Sequence, residues 1–143
     1  MDLTLPIEDK ILNIRVAVIL KTKIGYVLEK SKNGYFFVLG GRIKINESSE
    51  QAARREVFEE TGIKIDDLKL KAVIENFYTN NEERQVQEIC FVYLSNNQEN
   101  MNLIDGLAEY TIKQINDIDL RPTVLKQIIL SEGKEISHFS LRS

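Results

Sequence analysis

Residues 41–63 constrain this chain more than any other stretch. They read Gly41-Arg-Ile-Lys-Ile-Asn-Glu47-Ser-Ser-Glu-Gln-Ala-Ala-Arg-Arg55-Glu56-Val57-Phe-Glu59-Glu60-Thr-Gly62-Ile63. Ser48 with Gln51 three positions on is a capping-box pattern, which starts a helix. The helix runs to about Thr61, and Gly62 supplies the left-handed position that ends it. A loop thus becomes a short helix carrying Glu56, Glu59 and Glu60.

At about 100° per residue these three carboxylates share one face. Like charges at such spacings cost roughly 0.2–0.5 kcal/mol per pair. Glu59 and Glu60 also lie in the last turn, where the helix dipole disfavours anions by about 0.3–1 kcal/mol each. A solvated acidic face is the ordinary reading of such a cluster. A divalent cation is the sharper one, because hard cations such as Mg²⁺ take clustered carboxylate oxygens. Gly40 and Gly41 allow backbone to come close, with carbonyl oxygens free to complete a shell. Ala52, one turn before Glu56, leaves room for that approach.

The rest of the chain is ordinary by comparison. Its 143 residues suit one domain with a sizeable core. A net charge of −3 gives no electrostatic footprint for a nucleic acid polymer or an anionic membrane. No apolar run approaches the roughly 20 residues that span a bilayer, and no signal-peptide pattern opens the chain. The single cysteine, Cys90, cannot form an internal disulfide and sits in an apolar run, as a small buried hydrophobe would. A cytoplasmic protein is expected.

Residues 14–20 read as a strand covered on both faces. Residues 24–30 and 35–39 flank Asn33-Gly34 as a hairpin. Residues 68–78 and 85–94 read as a second hairpin, 109–115 as a further strand, and 122–131 as a last helix begun by Pro122 and stopped by Gly133. Residues 1–13 read as a lead-in strand or loose arm, and 1–11 and 134–143 as peripheral arms of a single domain spanning 1–143. Strands mixed with two helices point to an α/β (α+β) sandwich, a mixed sheet between helices.

The spacing of Gly41, Glu47, Arg55-Glu56-Val57, Glu59-Glu60 and Gly62-Ile63 resembles the Nudix box of the MutT/Nudix hydrolases, with every signature position filled. Outside the box the order of strands and the last helix agree over roughly residues 12–131. One departure is Leu39, where many relatives have proline. The resemblance implies an α/β/α sandwich and Mg²⁺- or Mn²⁺-dependent hydrolysis of a nucleoside diphosphate linked to another moiety, by water attack on phosphorus. It implies metal ligation by Glu56, Glu59, Glu60 and the Gly40 carbonyl. Glu47 and Arg55 would brace the loop against the helix, with Gly41 and Gly62 structural. Dimers are common among such proteins.

The proton-accepting base varies in this family, so Glu56 and Glu59 share candidacy with Glu75 and Glu88. These last two are carboxylates in otherwise apolar strands. Folding the hairpin at Asn81/Glu82 sets them nearly opposite each other, which calls for a nearby cation. Arg15, Arg42 and Lys44 are the cations nearest to meet phosphates. Tyr78 and Phe77 would stack on a base or fill the core. His138, in the polar tail, is read as incidental. No proline lies between Pro6 and Pro122, so the downstream prolines of ADP-ribose and NADH hydrolases are missing. Two rivals remain. A catalytically silent nucleotide-binding domain would ordinarily have lost a box glutamate, and none is lost. An isomerase acting on an allylic diphosphate would need a protonating cysteine at the site, whereas Cys90 is expected to be buried.

Overall fold

The computed structural model describes residues 1–131 and 135–143. Its strands are β1 (Thr4–Ile7), β2 (Lys10–Lys21), β3 (Tyr26–Lys30), β4 (Phe36–Arg42), β5 (Lys69–Thr79), β6 (Gln85–Asn96), β7 (Leu107–Tyr110) and β8 (Ser137–Arg142). Its helices are α1 (Ser49–Thr61), α2 (Ile112–Asn116) and α3 (Val124–Leu130). One mixed sheet runs in the order β7-β3-β4-β2-β6-β5-β8, with β1 paired to β2.

β2 is the axis of the sheet. It pairs antiparallel with β4 (Arg15↔Arg42 to Val18↔Leu39) and parallel with β6 (Ile11↔Val86 through Lys21↔Asn96). Because both edges are occupied and both faces covered, its sequence is a nearly continuous apolar run. Val16, Val18 and Leu20 face α1, packing with Leu39, Tyr93, Ala52, Ala53 and Val57. Ala17 and Ile19 face the other way, with Cys90, Val92, Ile115, Leu125 and Ile128. The result is an α/β/α sandwich with α1 on one face and α2 and α3 on the other.

Four expectations are corrected. The tail is not a loose arm: β8 extends the sheet by parallel pairing to β5, while the N-terminal stretch supplies a lead-in strand, β1, that forms a hairpin with β2. Residues 109–115 do not form one strand. β7 ends at Tyr110, and Thr111 with Gln114 forms a complete capping box that opens α2. Pro122 is not the first helical residue, since α3 starts after Thr123. Gly133, expected to stop that helix, lies outside the described residues.

The fourth correction bears on the site. Glu75 pairs with Ile89, and Glu88 pairs with Asn76. The two carboxylates therefore point to opposite faces, because a shift of one residue flips a side chain. The cause is the loop between β5 and β6. Asn80 and Arg84 close a three-residue loop, with Asn80 N–H donating to the Arg84 carbonyl (2.9 Å) and Glu83 at φ 63. A three-residue loop with its last residue left-handed is a standard hairpin solution, and its odd length displaces the register from a fold at Asn81/Glu82.

Candidate active site

The loop before α1 is held by one guanidinium. Ser48 caps the helix, its side chain accepting from Gln51 N–H while the Gln51 side chain accepts from Ser48 N–H. Arg55, on the second turn, reaches back to Glu47 with two parallel bonds, Nε to Oε2 (2.7 Å) and Nη2 to Oε1 (2.8 Å). The same Nη2 donates to the Arg42 carbonyl at 3.1 Å, and Lys44 N–H donates to Glu47 Oε1 at 3.0 Å. Bidentate charge-assisted pairs fix geometry as well as supplying energy. The Arg55 bond holds the Glu47 carboxyl down at about 2.

The far side of Arg55 meets the acidic face. Its Nη1 donates to Glu56 Oε1 at 2.9 Å and reaches Glu59 at 3.4 Å. Glu60 stands beyond, without that help. Burial pushes its carboxyl up to about 8, and the charges of Glu56 and Glu29 push the same way. Burial also raises Glu56, against the pull of Arg55. The Glu56 and Glu60 carboxyls lie against each other, and Glu60 Oε2 is buried with no hydrogen-bond partner. Two acceptors in contact need a proton or a cation between them.

The backbone beneath is shaped for this. A Cβ built on Gly41 would sit 2.2 Å from Glu56 Oε1, so only glycine lets Glu56 lie over the strand. A Cβ on Gly40 would sit 2.2 Å from the Val16 carbonyl oxygen, and Gly40 has φ +154. Gly62 closes α1 at φ 76 with its N–H donating to Phe58 O. The orphaned Glu60 oxygen, the glycine cradle and an all-oxygen donor set fit a hard divalent cation. As they stand, no three acidic, histidine or cysteine side chains among the described residues enclose a common point, since Arg55 draws Glu56 and Glu59 toward itself.

A second group forms on the opposite face of the sheet. Arg15 and Arg42 are direct register partners, an arrangement that costs energy between like charges. Glu88, 8% exposed, offsets it, pairing with Arg15 at 3.7 Å. Burial raises the Glu88 carboxyl, and the two arginines oppose that. Tyr78 stands in the same group, its hydroxyl raised by burial and by Glu88. Arg15, Tyr78 and Glu88 line a cleft of about 670 Å³, whose other walls include Tyr35, Phe37 and Arg121. Arg121 stacks over Tyr35 at 4.2 Å, and Tyr35 meets Phe37 edge-on at 5.1 Å. A further cleft of about 790 Å³, along Ile7, Leu12, Phe77 and Val86, contains no box residue.

The structure thus gathers the box residues on one face and Arg15, Arg42, Tyr78 and Glu88 on the other. Glu75 joins neither group. It meets His138 Nε2 at 2.7 Å on the sheet edge, so that histidine has a partner that its place in a polar tail hides. Phe77 lies under the Arg142 guanidinium at 4.1 Å. Cys90 is buried in the core under α3, its thiol pushed up to about 12 by burial. Sequence reasoning missed Tyr35, Phe37 and Arg121, which belong to different elements. The visible signal was limited to two aromatics at a strand start and an arginine before a proline.

The family comparison agrees with the box. The NUDIX domain profile matches residues 12–125. Among solved structures, the MutT protein from Bacillus halodurans superposes with a TM-score of 0.72 at 18% identity, covering 90% of each chain. The MutT NUDIX hydrolase from Burkholderia pseudomallei gives 0.68 at 18% identity, over 84% of this chain and 98% of that one. The NUDIX domain of Shewanella oneidensis NrtR, solved with ADP ribose, gives 0.65 at 17% identity, over 82% and 84%. No helix among the described residues is long and apolar enough to cross a membrane. With most of the chain matched by the profile and every signature residue in place on α1 and its loop, the chain belongs to the NUDIX family.

Proposed function

We propose that the protein is a Mg²⁺- or Mn²⁺-dependent hydrolase that cleaves the diphosphate of a nucleoside diphosphate derivative. The observation that carries this reading is Glu60 Oε2, buried and unpartnered against Glu56 over the glycine pair. A catalytically silent binding domain has no need of a complete acidic cluster held at such electrostatic cost, so turnover is favoured over mere binding.

Glu56, Glu59, Glu60 and the Gly40 carbonyl would hold the cation. When bound, it neutralises charge on the diphosphate and makes water easier to deprotonate. Glu47 and Arg55 keep the loop registered against α1, so the carboxylates are presented in one geometry. Glu56 is our candidate base, because its carboxyl lies over the Gly41 backbone against Glu60, and burial raises it above the ordinary carboxylate range. The nucleoside would reach from the cation around the end of β4, past the register partners Arg15 and Arg42, into the cleft lined by Tyr78 and Glu88. Tyr35 and Tyr78 offer rings to a base, and Arg15 and Arg121 offer guanidiniums to phosphates. Glu88 then orients Arg15 instead of taking a proton from water. The bound ADP ribose of the Shewanella oneidensis domain makes nucleotide derivatives the first compounds to try.

The test is a Mg²⁺-dependent phosphate-release screen across nucleoside triphosphates, nucleotide sugars and dinucleotides. Glu60→Gln should abolish turnover of any hit. Turnover that survives it would remove the box as the active site. Glu56→Gln, Glu75→Gln and Glu88→Gln, compared singly, should show the large kcat loss in Glu56 alone.

A further inference from the structure

The sheet ends at β7 and β8, with β1 as a further edge, and these edges are not alike. β7 is four residues long and turns at once into α2. β1 carries Pro6. Short strands and proline are ordinary ways to stop an edge from adding another strand. β8 has neither device. Its six residues, Ser137–Arg142, pair with β5 without a bulge and include no proline or lysine. The ladder also fixes which way its backbone faces. Ser143 N–H donates to the Phe77 carbonyl at 3.0 Å. Alternation then turns residues 137, 139 and 141 toward β5, and the N–H and C=O groups of 138, 140 and 142 point away from the sheet. His138, Ser140 and Arg142 are exposed, whereas Phe139 and Leu141 are partly buried against the core that α3 covers.

We propose that β8 is a self-association edge, on which a second copy of this chain adds its own β8, antiparallel, about a twofold axis at Ser140. A twofold contact uses the same patch on both copies, so the strand must complement itself. In this register residues 138, 140 and 142 of one copy meet 142, 140 and 138 of the other, and each pair exchanges both backbone bonds. The small Ser140 meets its own counterpart at the axis. On one face Phe139 meets the second copy's Leu141, an apolar pair at the positions where side chains lie closest. On the other face the second copy's Arg142 comes opposite His138, which holds Glu75 at 2.7 Å. A guanidinium thus reaches a carboxylate in each half of the contact. Sliding one strand by a ladder step would take Arg142 away from Glu75 and set an apolar residue against itself. The charge match and the apolar pairing therefore select a second copy in one register over an unrelated strand.

The test is sedimentation velocity on the full chain from micromolar to submillimolar concentration, where the wild type should pass reversibly from monomer to dimer. Ser140→Pro removes an N–H that points away from β5, so the sheet should keep its melting curve. Both central bonds of the dimer are lost, and its dissociation constant should rise about tenfold or more. Ser140→Cys should cross-link into a covalent dimer on mild oxidation, because a directly opposed bonded pair stands at about 5.5 Å between Cα atoms, within disulfide range. His138→Cys, equally exposed, should not, because its counterpart is Arg142; Cys90 is buried and takes no part. A wild type that stays monomeric throughout would overturn the proposal and leave the edge to a strand of another protein. A dimer unchanged in folded Ser140→Pro would overturn it too, as would cross-linking through His138→Cys as fast as through Ser140→Cys. Should Ser140→Pro fail to fold, the cysteine pair decides.

Discussion

Adjacent glycines 40 and 41 should respond to alanine in opposite ways, because their missing side chains face different neighbours. At Gly40 the new methyl would meet the Val16 carbonyl oxygen at 2.2 Å, a backbone atom inside the sheet's central pairing, from a φ of +154. Overpacking of this kind costs about 1–3 kcal/mol, and the unfavourable φ adds about 1–2 kcal/mol. A total near 3 kcal/mol lowers Tm by about 10 °C in a domain of this size. At Gly41 the methyl would meet the Glu56 carboxylate, the free end of a side chain that can swing away. That swing breaks the 2.9 Å bond to Arg55, but Arg55 keeps Glu47. The net cost is about 1 kcal/mol, partly offset by the loss of glycine's freedom in the unfolded chain. Displacing Glu56, a proposed cation ligand, by this much should lower activity by about a hundredfold. Thermal melting and a Mg²⁺-dependent phosphate-release assay on the two variants check the pair. A Gly41→Ala protein that melts as low as Gly40→Ala, or that turns over normally, would refute the reasoning.

The raised Glu60 carboxyl means the folded state holds a proton that the unfolded state releases, so metal-free stability falls as pH rises from about 4.5 to about 8. Melting curves across that range should show the slope, with Glu60→Gln or saturating Mg²⁺ flattening it. Glu47 has the opposite sign: its contribution is full above its unfolded value and is lost as pH falls toward about 2, so Glu47→Gln should lose less stability on acidification than the wild type. Arg55→Lys removes the bidentate fork and should cost about 2 kcal/mol in urea melts. Ser48→Ala should cost about 1 kcal/mol by the same measurement through loss of the cap. Arg15→Gln leaves Glu88 buried without its partner and, if the cleft holds substrate, should raise KM more than it lowers kcat.

The box and its helix were legible because their signals are local. Ser48, Gln51 and Gly62 fix the helix ends, and the electrostatic misfit of Glu59 and Glu60 within one helix already asks for a cation. The capping box at Thr111 and Gln114 is equally local, yet Glu109 and Tyr110 lead into it with strand character, so the pattern over 109–115 resembles one strand. β8 was hidden for a different reason. Its partner is β5, more than fifty residues away, and its alternation of Phe139 and Leu141 with polar residues is too short to declare itself. The placement of Glu75 and Glu88 hung on whether one loop has an odd or even number of residues, which composition does not specify.

The parallel pairing of β2 with β6 also sets an order of events. Its register joins Ile11 to Val86 and Lys21 to Asn96, partners 75 positions apart. Parallel pairing at such separation is slow to form, because the loop must close before the contacts repay it. During synthesis the loop and α1 emerge long before β6, so the acidic helix is present while one edge of β2 still lacks its neighbour. The seat for Glu56 and Glu60, built on Gly41 and anchored through β2, becomes rigid only when the second half of the chain arrives. A nascent chain halted before residue 85 should therefore carry the whole signature and bind no cation tightly.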